Sequence, residues 1–181
     1  MPSVIAALLP LPMLATPHPS PPAHAITLRD VERADLDTLF DWQRDPESCA
    51  LAFVKPRTRE TFDAAWAKVF GGRVDPHSGI RAKLILADDT PCGSIGTHRT
   101  DGELQVGYLI ARPFWNRGIA TRALALLLEQ FRFRPLHARA AARNTASIKV
   151  LLKNGFRITG TKWGDETERY LACEEIIFIL Q

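Results

Sequence analysis

Hydrophobic and polar positions along the chain follow two periods, which predict strands and helices in a mixed order. Alternation with a period of two over 26–30 predicts a first strand, and apolar residues at near-helical spacing predict a helix over 33–44, which Asp45-Pro46 ends. The remaining pattern predicts helices at 59–70, 118–131 and 145–154, and strands at 81–87, 92–98, 103–111, 136–142, 156–162 and 169–180. This order, βααβββαβαββ, indicates one α/β domain over residues 26–181.

Composition and charge narrow the class of protein. The chain has 181 residues, of which 46% are hydrophobic and 24% charged, which is typical of a folded globular domain. No apolar run reaches the ~20 residues that a membrane-spanning helix needs, so no membrane partner is expected. The formal charge of +3 is too small to indicate nucleic-acid binding. Three isolated cysteines (Cys49, Cys92 and Cys173) indicate neither a disulfide framework nor a metal site, and a cytoplasmic protein is expected.

Residues 1–25 are apolar and then rich in proline, and we interpret them as a flexible tail outside the domain. A secretory signal carries basic residues before its apolar stretch. Here none is present, and Pro10 and Pro12 interrupt the stretch. A signal peptide that ends at Ala23-His24-Ala25 is the alternative interpretation.

The segment 106–121 runs from a predicted strand through a turn into a predicted helix. The first N–H groups of a helix lack internal partners and lie at the positive end of its dipole, so they can bind an anion. Gly118 and Ala120 keep side-chain bulk away from the backbone. No acidic residue occurs at this helix start, and Arg117 and Arg122 flank it. The pattern predicts a pyrophosphate site, and an ordinary strand–loop–helix junction is the alternative.

Two motifs resemble the GNAT superfamily of N-acetyltransferases. The loop Phe114-Trp-Asn-Arg-Gly-Ile-Ala-Thr121 is similar to that family's acyl-CoA pyrophosphate loop, whose general pattern is Gln/Arg-x-x-Gly-x-Gly/Ala. Gly118 and Ala120 match the pattern, and Trp115 at its first position is usual in the RimJ/RimL-like branch. Residues 144–156 (NTASIKVLLKNGF) resemble the branch's Asn-x-x-Ser-x-x-Val-Leu-x-x-x-Gly-Phe helix. The resemblance covers about residues 26–180. It implies a central mixed, mostly antiparallel twisted sheet of about six to seven strands flanked by about four helices.

The resemblance also implies that acetyl-CoA is the co-substrate and where it binds. Its pantetheine arm would pair with backbone groups of Leu109, Ile110 and Ala111. The Asn144 amide would contact the same arm in addition to capping its helix. The pyrophosphate would bind the backbone at Asn116, Arg117, Gly118, Ile119, Ala120 and Thr121, with the Arg122 side chain as a further candidate. Lys153 is a candidate for the adenosine phosphates, with a plain surface lysine as the alternative.

In this family an amine attacks the thioester directly, so the site must supply a proton to the departing thiolate. Many members carry a tyrosine acid directly after the position of Val150, where this chain has Leu151. The branch's proposed serine acid corresponds to Ser147, whose hydroxyl could instead bond the backbone of its own helix. Glu103 and His98 are candidate general bases, and a surface charge is the alternative role of each.

The expected function is transfer of an acetyl group to a primary amine of a small molecule or a protein N-terminus. A non-catalytic acyl-CoA-binding module is the alternative, and the arginine-rich stretch 131–143 makes a nucleic-acid binder the third hypothesis. The first two predicted helices and residues 71–81 are expected to line the acceptor pocket. Phe53, Trp42 and Trp66 either shape that pocket or belong to the core. Formation of a homodimer stays an open expectation.

Overall fold

Five helices and seven strands make up the described part of the chain, residues 24–71 and 79–181 of a computed structural model. The helices are α1 (Leu36–Trp42), α2 (Pro46–Ala52), α3 (Arg59–Gly71), α4 (Ile119–Gln130) and α5 (Thr145–Lys153). The strands are β1 (Ile26–Asp30), β2 (Arg81–Ala87), β3 (Thr90–Thr100), β4 (Glu103–Ile110), β5 (Leu136–Ala141), β6 (Arg157–Gly164) and β7 (Cys173–Leu180). No helix among these residues is long and apolar enough to cross a membrane.

The seven strands form one sheet in the order β1-β2-β3-β4-β5-β7-β6. All neighbouring strands are antiparallel except β4 and β5, which confirms the predicted mixed, mostly antiparallel sheet. The parallel strands β4 and β5 pair at a single position, Gln105 with His137. Because backbone pairing is confined to this one position, β4 and β5 diverge towards their carboxyl ends and leave a gap in the sheet.

Apolar side chains on the two faces of the sheet form two separate clusters. Leu84 and Ile85 are adjacent on β2 and both fully buried, yet they belong to different clusters, because successive strand residues face opposite sides. The larger cluster joins the sheet to α4 and α5 through residues such as Leu127 and Leu151. The smaller one joins β2 to α1 and α3 and contains Phe62, which is completely buried. The two clusters hold α1, α3, α4 and α5 against the sheet.

Helix α2 was not predicted from the sequence. Asp45-Pro46 ends the first helix as expected, but the same pair begins another. The Asp45 carboxylate accepts a hydrogen bond from Ser48 N–H at 2.9 Å, and Pro46 occupies the first turn, where its missing N–H costs nothing. The expectation of about four helices is therefore one too few. The helix ends at Phe53, whose φ of 51° is left-handed.

Two other boundaries differ from the prediction. The turn between the strands predicted at 81–87 and 92–98 is confined to Asp88 and Asp89, with φ of 47° and 62°, because Thr90 already pairs with Ala87. The last strand begins at Cys173 and not at 169.

The predicted tail lies mostly outside the described residues, and so do residues 72–78 of the expected pocket wall. The tail's last two residues, His24 and Ala25, are described and bond to the turn between β2 and β3. The His24 ring nitrogen Nδ1 lies 2.5 Å from the Asp88 carboxylate, and the Ala25 N–H donates to the same side chain at 2.9 Å.

Candidate functional site

Two cavities lie beside the gap between β4 and β5 and share part of their walls. The smaller, about 340 Å³, follows the end of β4 to the start of α4. The larger, about 460 Å³, lies over β4, β5 and β7. Both are lined by Ala52, Tyr108, Asn144 and Ser147. Molecules bound in the two cavities would therefore meet at these four residues.

The start of α4 has the features of an anion site. Gly118 precedes the helix with a left-handed φ of 74°, and a Cβ added there would meet no atom within 4 Å. The first turn holds no acidic residue, and no described side chain caps it. The N–H groups of this turn therefore open towards the smaller cavity with their positive dipole end uncompensated. The cavity is lined here by all six predicted pyrophosphate-loop residues, Asn116, Arg117, Gly118, Ile119, Ala120 and Thr121.

Two predicted basic contacts lie outside both cavities. The Arg122 guanidinium is exposed and lies 3.5 Å from the Glu129 carboxylate, along the solvent side of α4. Lys153 is exposed at the end of α5 and lines neither cavity. Arg117 differs from these two, because its guanidinium lies 5.5 Å from the centre of the Phe114 ring at the cavity wall.

The free edge of β4 offers a different set of backbone groups from the one expected. Ala111 N–H donates to Cys92 O on the β3 side at 2.8 Å. Because backbone groups of successive strand residues point to opposite neighbours, Leu109 also faces β3, whereas Ile110 and Tyr108 face the gap. The Ile110 carbonyl accepts the indole N–H of Trp115 at 2.7 Å. Of the predicted trio, only Ile110 thus presents its backbone to the gap, and Tyr108 joins it.

Trp115 anchors the loop through that indole hydrogen bond. Its ring is half-buried in the wall of the smaller cavity, and the bond spans five positions from the strand to the loop. The tryptophan therefore fixes the distance between the edge of β4 and the start of α4. This contact gives a structural reason for the residue at the first position of the loop motif.

A hydroxyl pair lies where the two cavities meet. The Tyr108 hydroxyl is 2.8 Å from Ser147 Oγ and donates to the Ser147 carbonyl at 3.2 Å. Burial raises the pKa of Tyr108 to about 12, so the phenol stays protonated at neutral pH. Asn144 caps α5, since its side-chain oxygen accepts from Ser147 N–H at 3.0 Å. Leu151, at the family's tyrosine position, is buried in the core.

Tyr108 was not among the candidate site residues predicted from the sequence. Its hydroxyl reaches α5 across 39 positions of sequence, so only the packing of α5 against β4 reveals the contact. A signal was nevertheless present. A tyrosine lies on the strand that leads into the anion-binding loop, in a chain whose usual tyrosine position holds Leu151.

The two candidate bases lie in different environments. His98 lines the larger cavity, directly across from Gln105 on β4. Burial, with a smaller contribution from the Arg139 charge, lowers the pKa of His98. Glu103 lines neither cavity, and its carboxylate lies 3.8 Å from His137 Nδ1 and 4.0 Å from the Arg139 guanidinium. The fold therefore brings His98 and Ser147 to one cavity and leaves Glu103 at its border.

A short backbone ladder borders the larger cavity on the side of α2. Lys55 N–H donates to the Arg169 carbonyl at 2.8 Å, and Leu171 N–H donates to the Phe53 carbonyl at 2.8 Å. This pairing explains why residues 169–171 lie outside β7. Phe53 lines the cavity, whereas Trp42 and Trp66 pack in the smaller core cluster. Phe53 therefore lines a cavity, whereas Trp42 and Trp66 belong to the core.

Comparison with known proteins identifies relatives of this fold. The sequence model of the acetyltransferase (GNAT) domain matches residues 25–157. A Bacillus licheniformis protein named uncharacterized N-acetyltransferase p20 is 25% identical over 143 residues, which cover 75% of this chain and 80% of that protein.

Solved structures show the same architecture. Mycobacterium smegmatis RimJ, in complex with CoA-disulfide, is 23% identical with a TM-score of 0.65, over 88% of this chain and 83% of that one. Spermidine N-acetyltransferase from Vibrio cholerae, in complex with CoA and spermine, is 14% identical with a TM-score of 0.65, over 85% and 95%. At these identities the likeness establishes the fold.

Proposed function

We propose, from the premise that the chain belongs to the GNAT acetyltransferase family, that it transfers an acetyl group to a primary amine of a small molecule or a protein N-terminus within a ternary complex. The chain is an acyltransferase, and acetyl-CoA is its co-substrate. The observation that carries the proposal is the wall shared by the two cavities. Acetyl-CoA would lie in the smaller cavity and the amine in the larger one.

The residues of the smaller cavity fit the proposed co-substrate. The uncapped first turn of α4 suits a pyrophosphate, and open space at Gly118 lets it approach the backbone. The Ile110 N–H and the backbone of Tyr108 face the gap, where an extended arm with amide groups would pair as a strand does. The proposed site is thus built from backbone groups more than from charged side chains.

In the proposed reaction, a neutral amine in the larger cavity attacks the thioester carbonyl, the new C–N bond forms and the C–S bond breaks. The amine's proton passes to a base, and the thiolate receives a proton. We assign that second proton to the Tyr108 hydroxyl, with Ser147 holding the phenol in place at 2.8 Å. An α-amine, with a reference pKa of ~7.7–8.0, needs less deprotonation at neutral pH than a lysine amine at ~10.4.

His98 is the proposed base, and its role predicts a pH dependence. Because its pKa is lowered, the neutral imidazole prevails at pH 7, and imidazolium forms only below the ordinary value near 6.5. We expect kcat, measured at saturating acceptor, to fall as the pH drops below that value. His98→Gln should lower kcat and remove this acidic limb. The control Glu103→Gln should keep the acidic limb. If Glu103→Gln lost the acidic limb and His98→Gln kept it, the base would be Glu103.

The Asn144 amide is proposed to serve both the helix cap and acetyl-CoA. Asn144→Asp keeps an oxygen for Ser147 N–H but has no amide donor, whereas Asn144→Ala has neither. We expect the free energy of unfolding to fall by about 1 kcal/mol in Asn144→Ala and to change little in Asn144→Asp. Titration should show acetyl-CoA bound roughly tenfold more weakly by both variants, the equivalent of one hydrogen bond. If Asn144→Asp bound acetyl-CoA with wild-type affinity, Asn144 would serve only as the helix cap.

The finer assignment to the RimJ/RimL-like branch is supported by particular residues. Trp115 anchors the co-substrate loop to β4, and Asn144 and Ser147 open α5 as the branch motif does. Free Cys49, Cys92 and Cys173 are in keeping with the proposed cytoplasmic location.

A further inference from the structure

Gln105 is a buried polar residue whose side-chain nitrogen has no hydrogen-bond partner among the described residues. Its side chain lines the larger cavity, only 6% of the residue is exposed, and its Nε2 has no hydrogen-bond partner. A buried amide left unpaired is destabilising, because no hydrogen bond replaces its lost hydration. Its last side-chain torsion is soft, so the amide can turn to present Nε2 to the cavity. An unsatisfied donor at a cavity wall indicates a bound group that accepts a hydrogen bond.

Arg139 lies on the same face of the sheet as Gln105. β4 and β5 pair at Gln105 and His137, and Arg139 follows two residues later, so its side chain points to the same side as that of His137. The side chain is 25% exposed and lines the same cavity. Gln105 and Arg139 therefore present hydrogen-bond donors to one space.

The Arg139 guanidinium lies near two carboxylates but makes no hydrogen bond to either. Its nearest carboxylates, on Asp101 and Glu103, lie 3.7 and 4.0 Å away, beyond hydrogen-bond distance. A guanidinium has five N–H donors in a planar fork that matches a carboxylate. Lys162, the other cation that lines the cavity, lies 3.8 Å from the Glu175 carboxylate. By distance Lys162 is no more engaged than Arg139, but only Arg139 carries the planar fork of donors that matches a carboxylate.

We propose that Gln105 and Arg139 bind a carboxylate carried by the acceptor amine, an inference that rests on the proposed transferase function. Gln105 lies three residues before Tyr108, roughly 10 Å along β4, and its side chain faces the opposite side of the strand from that of Tyr108. His98 pairs with Gln105, but its ring leans along the strand, since a Cβ at Gly107 would lie 3.8 Å from His98 Cε1. The proposed base thus lies between the carboxylate site and the amine. The carboxylate must therefore lie several bonds from the amine. An ω-amino acid of medium length fits this distance, an α-amino acid is too short, and a polyamine lacks the anion.

Matched acceptors test this inference. The full chain is assayed with acetyl-CoA and 6-aminohexanoate, hexylamine or 1,6-diaminohexane, three amines of equal chain length and different terminal groups. We expect kcat/KM for 6-aminohexanoate to exceed that for hexylamine at least tenfold. Arg139→Gln should remove this preference, chiefly by raising KM, and Gln105→Glu should shift it towards the diamine. The control Lys162→Gln should change the ratio less than twofold.

Binding measurements separate this inference from the proposed function. Titration of 6-aminohexanoate and hexylamine into the wild-type complex with CoA should favour the carboxylate, and Arg139→Gln should abolish the difference. Equal affinity for the two amines, or a preference that survives in Arg139→Gln, would overturn the carboxylate site whether or not turnover occurs. Selective carboxylate binding without any acetylation would instead contradict the transferase function and leave the site intact.

Discussion

Replacing Tyr108 by phenylalanine is expected to lower kcat roughly 100-fold, within the range in which a positioned general acid contributes. The phenol lies at the wall shared by the two cavities, and its raised pKa of about 12 keeps it protonated over the working pH range. Phenylalanine preserves the ring that packs against the larger core cluster. The affinity for acetyl-CoA should therefore stay within about twofold, which steady-state kinetics and titration together can establish.

The chain offers a matched control, since it has only two tyrosines. Tyr170 lines the larger cavity at the short ladder and is 47% exposed, and Tyr170→Phe should change kcat little. Ser147→Ala removes the group that holds the phenol and should reduce kcat less than Tyr108→Phe. If Ser147→Ala were the more damaging change and Tyr108→Phe nearly silent, proton donation would belong to the serine.

Replacing Gly118 by tryptophan should abolish acetyl-CoA binding, with a Kd increase of at least about 100-fold, equivalent to about 2.7 kcal/mol. The space around a Cβ at Gly118 is open, so the first atom of a side chain there meets no protein atom within 4 Å. The same space is where the pyrophosphate would approach the N–H groups of α4. The indole would fill it and block that approach. Titration of acetyl-CoA into the folded variant measures the loss.

Gly102→Trp controls for the strain that a side chain suffers at a left-handed residue. Gly102 has φ of 81°, close to the 74° of Gly118, and a Cβ added there also meets nothing within 4 Å. Each substitution should lower the free energy of unfolding by about 1–2 kcal/mol for the left-handed conformation. Only Gly118→Trp should lose acetyl-CoA. Retained binding in Gly118→Trp, or equal loss in both variants, would place the co-substrate elsewhere.

Local sequence patterns predicted the elements whose signals are unambiguous. The strands and most helices follow from apolar periodicity, and the open first turn of α4 follows from Gly118 and the missing acidic residue. Helix α2 was not predicted, because Asp45-Pro46 is both a stop signal for one helix and a start signal for the next. The two sequence motifs also pointed to one site, because residues of both line the smaller cavity.

The remaining features depend on contacts between distant segments. The Tyr108 hydroxyl is positioned by its contact with Ser147 on α5. The amide of Gln105 can be identified as unpaired only when the cavity beside it is known. The orientation of backbone groups on β4 depends on its register with β3, which shifts the proposed pairing from Leu109 to Tyr108 and Ile110. Periodicity specifies which residues form a strand but not which neighbour their N–H groups face.

Amine-dependent release of CoA thiol decides between a transferase and an acyl-CoA-binding module. The full chain is incubated with acetyl-CoA and a panel of primary amines that includes 6-aminohexanoate, and free thiol is followed against an amine-free blank while mass spectrometry counts acetylated amine. We predict thiol release that depends on an amine, matches the acetylated product in amount and falls in Tyr108→Phe. Tight acetyl-CoA binding with thiol release no faster than the blank for every amine would contradict the transferase function.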